Sequence, residues 1–430
     1  MSPIRARATV VVGTAFAAAL TLAVPTAASS TTGPAAPAPA GAAVTAVAAP
    51  TVEEARLDRA VPQEILRRGG FAAVAPEFAR ALDRAGSYQA ARRTVDRHAS
   101  ALWERAVDRA QGRGPALGDL SRDDDRPLYW ARLGMTRELR QWQPAFPLSE
   151  QRRAALLGSL ERASRGHDSM DFPGADRATH RGKPLKRVVV TGFDPFTLDR
   201  DIRISNPSGA NALALDGTVI RTAAGYARIE TAVFPVRWQD FADGMVERAL
   251  RERLPEADLF TTVSQGRPER FDIERTNGAW RGGSLDNDNI SRRETVPVSD
   301  PATQPQWTSS TLPAAAITAV PTGRFPVYDN AQVTEIPAGG TAPVVRPDGP
   351  TPGSTAVVGA GGDYLSNEIA YRATLLRDRL GLDVPGGHVH TPVLRFGAGN
   401  TAEITDPEFL RNRQDILAQV REIIRVAVGS

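Results

Sequence analysis

Residues 186–193 read Lys186-Arg187-Val188-Val189-Val190-Thr191-Gly192-Phe193, and this short stretch sets the fold class. A continuous apolar run with three successive valines fits a strand buried on both faces, as in a parallel sheet covered by helices, and the glycine after it fits the turn at the strand's end. The same grammar repeats downstream. ARIETAVFPV (227–236) reads as a second strand, FADGMVERALRERLPEAD (241–258) as a helix, and LFTTVSQG (259–266) as a third strand. SSTLPAAAITAV (309–320) reads as a short helix behind its start signal. STAVVGAG (354–361) followed by YLSNEIAYRATLLRDRLG (364–381) reads as strand, turn and helix, GGHVHTPVL (386–394) as a last strand, and 406–428 as a closing helix. Strands alternating with helices predict an α/β fold with a mostly parallel sheet and helices on both sides, with any site past the carboxyl ends of the strands.

Upstream the pattern differs. Residues 51–165 place Leu, Ile, Ala, Phe, Val and Trp at three- and four-residue spacing among charges. That spacing predicts a set of short amphipathic helices, punctuated by Pro62, Gly69-Gly70, Pro76 and Gly86, with nothing chemical in them. Residues 166–184 read as a loop joining this small all-helical region to an α/β domain spanning 185–426, and 318–352, rich in Pro, Gly and Thr, reads as a surface insertion. Residues 29–50 are Ala, Pro, Thr, Ser, Gly and Val without a charge, a linker composition. Arg5 and Arg7, an apolar run from Val10 to Val24 and the small residues Thr26 to Ser29 have the order of a secretory signal, placed at 1–28, so the chain is expected to be secreted. The alternative, an uncleaved anchor, fits less well, because the run is about 15 residues where about 20 are needed to cross a bilayer.

The 430 residues, 41% of them hydrophobic, supply a sizeable core. Of 52 basic residues only Lys183 and Lys186 are lysines, and the arginines are interleaved with 49 acidic residues for a net charge of +3. No basic stripe is formed, which argues against nucleic acid as a partner. There is no cysteine, which removes disulfides, thiolate metal sites and a cysteine nucleophile. TGFDPF (191–196) lacks the Gly-x-Gly-x-x-Gly turn of a dinucleotide site, no His or carboxylate pair has metal-ligand spacing apart from His388 and His390 on one strand face, and no cofactor is called for.

The turns ending predicted strands carry TGFDPF, SQGRPERFDIER (264–275), GGDYLSN (361–367) and HVHTP (388–392). A hydroxyl (Ser366), an imidazole (His390) and a carboxylate (Glu274) thus fall on one predicted rim, the three chemical parts of an acyl-transfer relay, which is defined by geometry rather than by order in the chain. Each residue has a plainer reading as well. Ser366 could cap its helix. His390 could be a strand histidine bonded to a carbonyl, and Glu274 a surface carboxylate beside Arg275.

The same segments, taken in order, resemble the pyroglutamyl peptidase I (pyrrolidone carboxyl peptidase) family over 185–426. VVVTGFDPF (188–196) is similar to the family's opening strand and turn, Asn206-Pro207-Ser208 to its Asn-Pro-Ser loop, and AVFPVRWQDF (232–241) to its second strand. VSQGRPERFDIER (263–275) resembles its Gly-Gln turn and Glu-Arg pair, one residue shorter between them. LDNDN (285–289), STLP (310–313), YLSNEIAY (364–371) and HVHTPVL (388–394) follow. The first 184 residues are not covered. The resemblance implies a three-layer α/β/α sandwich that removes an amino-terminal pyroglutamyl residue from peptides, without cofactor or metal. It also implies that Glu274 and His390 are the acid and histidine, that Phe193 and Phe196 hold the lactam ring with Gln265 nearby, and that the chain self-associates unless the helical extension covers that surface. The family's nucleophile is cysteine; here the position is Ser366.

That exchange changes the chemistry. A thiolate can be stored beside an imidazolium and a helix start, whereas an alcohol has to lose its proton during attack. Ser366 would therefore need His390 as base, Glu274 to fix the ring, and backbone N–H groups, with Arg281, to receive the oxyanion. Three functions follow from the sequence: a secreted serine-using hydrolase, a catalytically inactive protein binding pyroglutamyl or peptide amino termini, and a scaffold acting through its helical region.

Overall fold

The three valines of 188–190 are each at most 1% exposed, yet they serve two different cores, because successive residues of a strand face opposite sides of the sheet. Val188 and Val190 pack on one side with Leu259, Val263, Ile273 and Val389; Val189 packs on the other with Phe193, Phe234, Trp238 and Phe260. The computed structural model describes residues 48–115, 117–174 and 179–430. The export-signal reading at 1–28 lies outside the described residues, as does the linker reading except for 48–50.

Eight strands form the main sheet: β1 (Thr179–His180), β2 (Lys183–Phe193), β3 (Val219–Thr222), β4 (Gly225–Phe234), β5 (Leu259–Gln265), β6 (Phe271–Glu274), β7 (Val327–Asn330) and β8 (Gly386–Thr391). Their order is β7-β6-β8-β5-β2-β4-β3, with β1 on the start of β2. Four pairings are parallel: β7 with β6, β8 with β5, β5 with β2, and β2 with β4. The pairs β6–β8, β3–β4 and β1–β2 are antiparallel. The fold is therefore α/β with a mostly parallel sheet, as the sequence predicts.

Among the described residues six α-helices precede the sheet: α1 (Val52–Ala55), α2 (Ala60–Gly69), α3 (Val74–Asp83), α4 (Tyr88–Ala110), α5 (Arg126–Gln141) and α6 (Glu150–Ala163). Six more cover it: α7 (Pro207–Leu215), α8 (Trp238–Ala242), α9 (Met245–Leu250), α10 (Ala314–Thr318), α11 (Leu365–Arg379) and α12 (Pro407–Gly429). Leu215, Ile317 and the Phe409-Ile416-Val420-Ile423 stripe of α12 close one face of the sheet. Phe241, Val246, Leu250, Leu365, Ile369 and Leu376 of α8, α9 and α11 close the other. Helices α2 to α6 share their core with Leu198, Ile202, Leu213 and Val233, so this layer stacks on α7 and the loop after β2. Residues from 48 onward belong to one compact unit.

Several local expectations differ. The helix expected over 241–258 breaks at Gly244, whose φ of +75° is left-handed, into α8, α9 and a 3-10 turn. The strand expected at 354–361 is Thr355–Val358, and it pairs with Val333–Ile336 in a separate three-stranded sheet rather than with the main one. The segment 318–352 supplies β7, the edge strand beside β6, as well as two strands of that small sheet. Glu274 lies on strand β6, not in a turn. Among the described residues no helix is long and apolar enough to cross a membrane.

Candidate active site

At the carboxyl ends of β2, β5 and β8 lies a cavity of 310 Å³, lined by Phe193, Phe196, Asn206, Gln265, Gly266, Arg267, Tyr364, Ser366 and His390 among others. This is where a wound parallel sheet opens, because the chain leaves the sheet there in turns instead of packing across it. Of the residues singled out in the sequence, Phe193, Phe196, Gln265, Ser366 and His390 share this wall.

Glu274 is fully buried behind it. β6 and β8 run antiparallel with Glu274 opposite His388 and Asp272 opposite His390, so Glu274 and His390 are diagonal neighbours on one face of the sheet. The Oε1 of Glu274 accepts from Nδ1 of His390 at 2.7 Å. A carboxylate can only accept, so the proton of the neutral ring sits on Nδ1 and Nε2 is left as the basic nitrogen. The other oxygen, Oε2, accepts from Nδ2 of Asn330 on β7 at 2.7 Å, and the same amide donates to the Ala360 carbonyl at 3.0 Å. Asn330 thus ties the buried carboxylate to the loop before Ser366.

His388 is a different kind of histidine. Both of its ring nitrogens are hydrogen-bonded, Nδ1 to the Thr262 hydroxyl at 2.7 Å and Nε2 to the Ser264 hydroxyl at 2.8 Å. Burial, with His390 beside it, holds its pKa well below the usual imidazole range. Among the described residues no group of three or more His, Asp or Glu is arranged to hold a metal ion.

Ser366 is the second residue of α11, and the helix cap is Tyr364, so the serine does not cap. Its hydroxyl donates to the Gly361 carbonyl at 3.0 Å. The turn that brings these atoms together closes on itself, with Gly359 and Gly362 exchanging backbone hydrogen bonds of 2.8 and 2.9 Å and Gly362 at φ +92°. Asn367, the next residue, holds the helix start to Gly278 through both ends of its amide, at 2.9 and 2.8 Å. The first-turn N–H groups of α11 have no acceptor within the helix and carry the positive end of its dipole.

Gly266 is required by close approach: a Cβ there would lie 2.6 Å from Cβ of His390. Gln265 is oriented by the Leu394 N–H, which donates to its Oε1 at 3.0 Å. Phe193 stacks on Phe241 with ring centroids 6.1 Å apart, and Phe196 tilts toward Tyr364 at 6.2 Å. Arg281, offered by the sequence as an oxyanion donor, does not line the cavity. Its buried guanidinium is bidentate to Glu368 at 2.7 and 2.6 Å, donates to Glu294 at 2.9 Å and lies over the Trp238 ring. Sequence reasoning missed Asn330, hidden in a segment read as an insertion, and assigned no role to Tyr364 and Arg267, although both lie inside the quoted motifs.

Comparison with known proteins gives both family and likeness. The profile of the PA0049 N-terminal domain matches residues 34–161, and that of the PA0049 C-terminal domain matches 187–299 and 323–395. Solved structures similar to part of the chain include three peptidases. A variant of pyrrolidone carboxyl peptidase from Pyrococcus furiosus is 22% identical over 56% of this chain and 97% of that one, with a TM-score of 0.38. Pyroglutamyl peptidase I of Bacillus amyloliquefaciens is 18% identical over 57% and 98%, with a TM-score of 0.38. Pyrrolidone carboxyl peptidase of Thermococcus litoralis is 19% identical over 56% and 93%, with a TM-score of 0.38. The uncharacterised protein PA0049 of Pseudomonas aeruginosa is 34% identical over 89% of this chain and 90% of that one. Since that likeness runs through the helical layer and the α/β part alike, the chain belongs to the PA0049 family.

Proposed function

We propose that this protein is a hydrolase that removes amino-terminal pyroglutamate from peptides by acyl transfer, with Ser366 as nucleophile, His390 as base and Glu274 as the group that orients the ring. The observation that carries this reading is the 2.7 Å bond between Glu274 and His390 Nδ1, which leaves Nε2 as the ring's basic nitrogen on a residue that shares its cavity with Ser366. In attack the Ser366 hydroxyl turns from Gly361 toward that nitrogen and gives up its proton as Oγ bonds to the lactam-bearing carbonyl. N–H groups at the start of α11 receive the oxyanion. The imidazolium then protonates the departing amine, and water repeats the cycle to release pyroglutamate. Phe193 and Phe196 form the apolar wall for the ring, with Gln265 beside it. An exported protein acting outside the cell belongs to the same proposal, on the signal-like residues 1–28.

A second reading, an inactive binder of pyroglutamyl peptides, is favoured by one observation: the Ser366 hydroxyl is bonded to Gly361 rather than to His390. Release of anilide from a pyroglutamyl anilide by the purified chain, beside Ser366→Ala, separates the two. Turnover lost in the variant supports the hydrolase. Calorimetric binding of a pyroglutamyl peptide with equal background release from both proteins supports the binder.

A further inference from the structure

We infer that the amino-terminal helical layer is a working part of the cavity, with Asp125 and Arg132 as positioning residues for the wall that carries Phe193, Phe196 and Asn206.

The wall is held from that layer at three successive points. Asp194, directly after Phe193, is gripped by Arg132 of α5, whose Nη1 donates to both carboxylate oxygens at 2.8 and 3.0 Å, and by Arg165 just past α6. The carbonyl of Pro195, directly before Phe196, accepts from Nδ2 of Asn287 at 2.9 Å. That amide also donates to Glu53 of α1 at 2.9 Å, and Glu53 accepts from the Tyr129 hydroxyl of α5 at 2.8 Å. Asp125, at the amino end of α5, accepts the Asn206 N–H at 2.9 Å on one oxygen and the Ser205 hydroxyl on the other. Asn206 closes the circuit by donating its side-chain amide to the Asp194 carbonyl at 2.9 Å.

Asp125, Arg132, Arg165, Asp194 and Glu53 are all buried. Buried ion pairs add little net stability over well-packed apolar residues, because desolvation offsets the attraction, but each fixes the position of its partner. Here Asp194 directly follows Phe193 and Ser205 directly precedes Asn206, both cavity residues. The layer's apolar core could have held the helices in place without these contacts; the contacts hold the wall.

This inference rests on the cavity being the substrate site, so its test includes a readout independent of turnover. Full-length Asp125→Asn, Arg132→Met and Arg132→Lys are compared with wild type by hydrogen exchange and by kinetics on a pyroglutamyl anilide. Amides of 193–206 are expected to exchange about tenfold faster or more in Asp125→Asn and Arg132→Met, with β5 and β8 unchanged, since local opening need not involve the sheet. KM should rise more than kcat falls, with Arg132→Lys intermediate. Where Asp125→Asn fails to fold, Ser205→Ala removes one contact more gently. Unchanged exchange at 193–206, or an increase spread evenly over the chain, overturns the inference. Exchange decides it whether or not the wild-type chain is active, while an inert, non-binding wild type would sink the proposed function alone.

Discussion

Asn330 donates to the oxygen of Glu274 that His390 leaves free, so the carboxylate is held at both ends. Removing that donor should loosen the acid and hence the imidazole without touching the cavity. Asn330→Ala is expected to lower kcat on a pyroglutamyl anilide about fivefold, the equivalent of about 1 kcal/mol for one hydrogen bond, with KM nearly unchanged. An unchanged kcat would mean that Asp272, β8 and the strand pairing orient the pair without it.

Ser366→Cys would introduce the chain's sole thiol. At a helix start beside an imidazole the thiol pKa should fall, giving a stored nucleophile. The variant is expected to be alkylated by iodoacetamide at that one position, read by mass, and to turn over the anilide about tenfold faster or more than wild type, as ionised sulfur replaces an alcohol that must be deprotonated during attack. A thiol that resists alkylation and a variant slower than wild type would show a site shaped for oxygen.

Gly266 carries a further test of geometry. Its missing Cβ leaves room for His390, and an added methyl would sit 2.6 Å from the histidine Cβ. Gly266→Ala should push the ring off line and lower kcat about 100-fold, since displacements near 1 Å have that effect. Circular dichroism should show the fold retained; full activity would exclude His390 as the base.

Glu230, on β4, gives a pH signature in stability. Burial and the neighbouring Asp216 push its pKa up to about 7, against a partial opposing effect of Arg228 at 2.6 Å. The folded protein therefore holds this proton more tightly than the unfolded chain, where the group titrates near 4.5. Its stabilising effect is full below that value and is lost as pH rises through about 7. The stability of wild type relative to Glu230→Gln should thus fall by on the order of 2 kcal/mol between pH 5 and pH 7.5, read from urea midpoints. A difference that stays flat, or that grows with pH, would contradict the burial argument.

Much of the fold was legible because its signals are local. Val188–Val190 announce a strand buried on both sides by composition alone, and the stripe of α12 announces its helix by spacing. The order of motifs from Thr191 to Pro392 placed Phe193, Phe196, Gln265, Ser366 and His390 on one rim, and all five line one cavity. What the sequence does not show is where the other charged and polar groups find partners. The sequence offers Arg281 to the oxyanion, but Glu368 on α11 captures it. The segment 318–352 reads as a surface insertion because its Pro and Gly content hides a four-residue edge strand, and Asn330 is hidden with it. The helices before residue 165 read as free of chemistry because a buried aspartate or arginine in or at the end of a helix has no periodic signature of its own.

By itself the sequence determined the element types, the α/β class and the set of reactive groups at strand ends, since apolar period and turn chemistry act over a few residues at a time. Only the tertiary structure decided that Asn330 holds the far oxygen of Glu274, where Arg281 spends its charge, and that α5 grips the loop between Phe193 and Asn206. Those contacts join residues far apart in the chain, and a buried charge goes to whichever partner the folded backbone brings within hydrogen-bond reach.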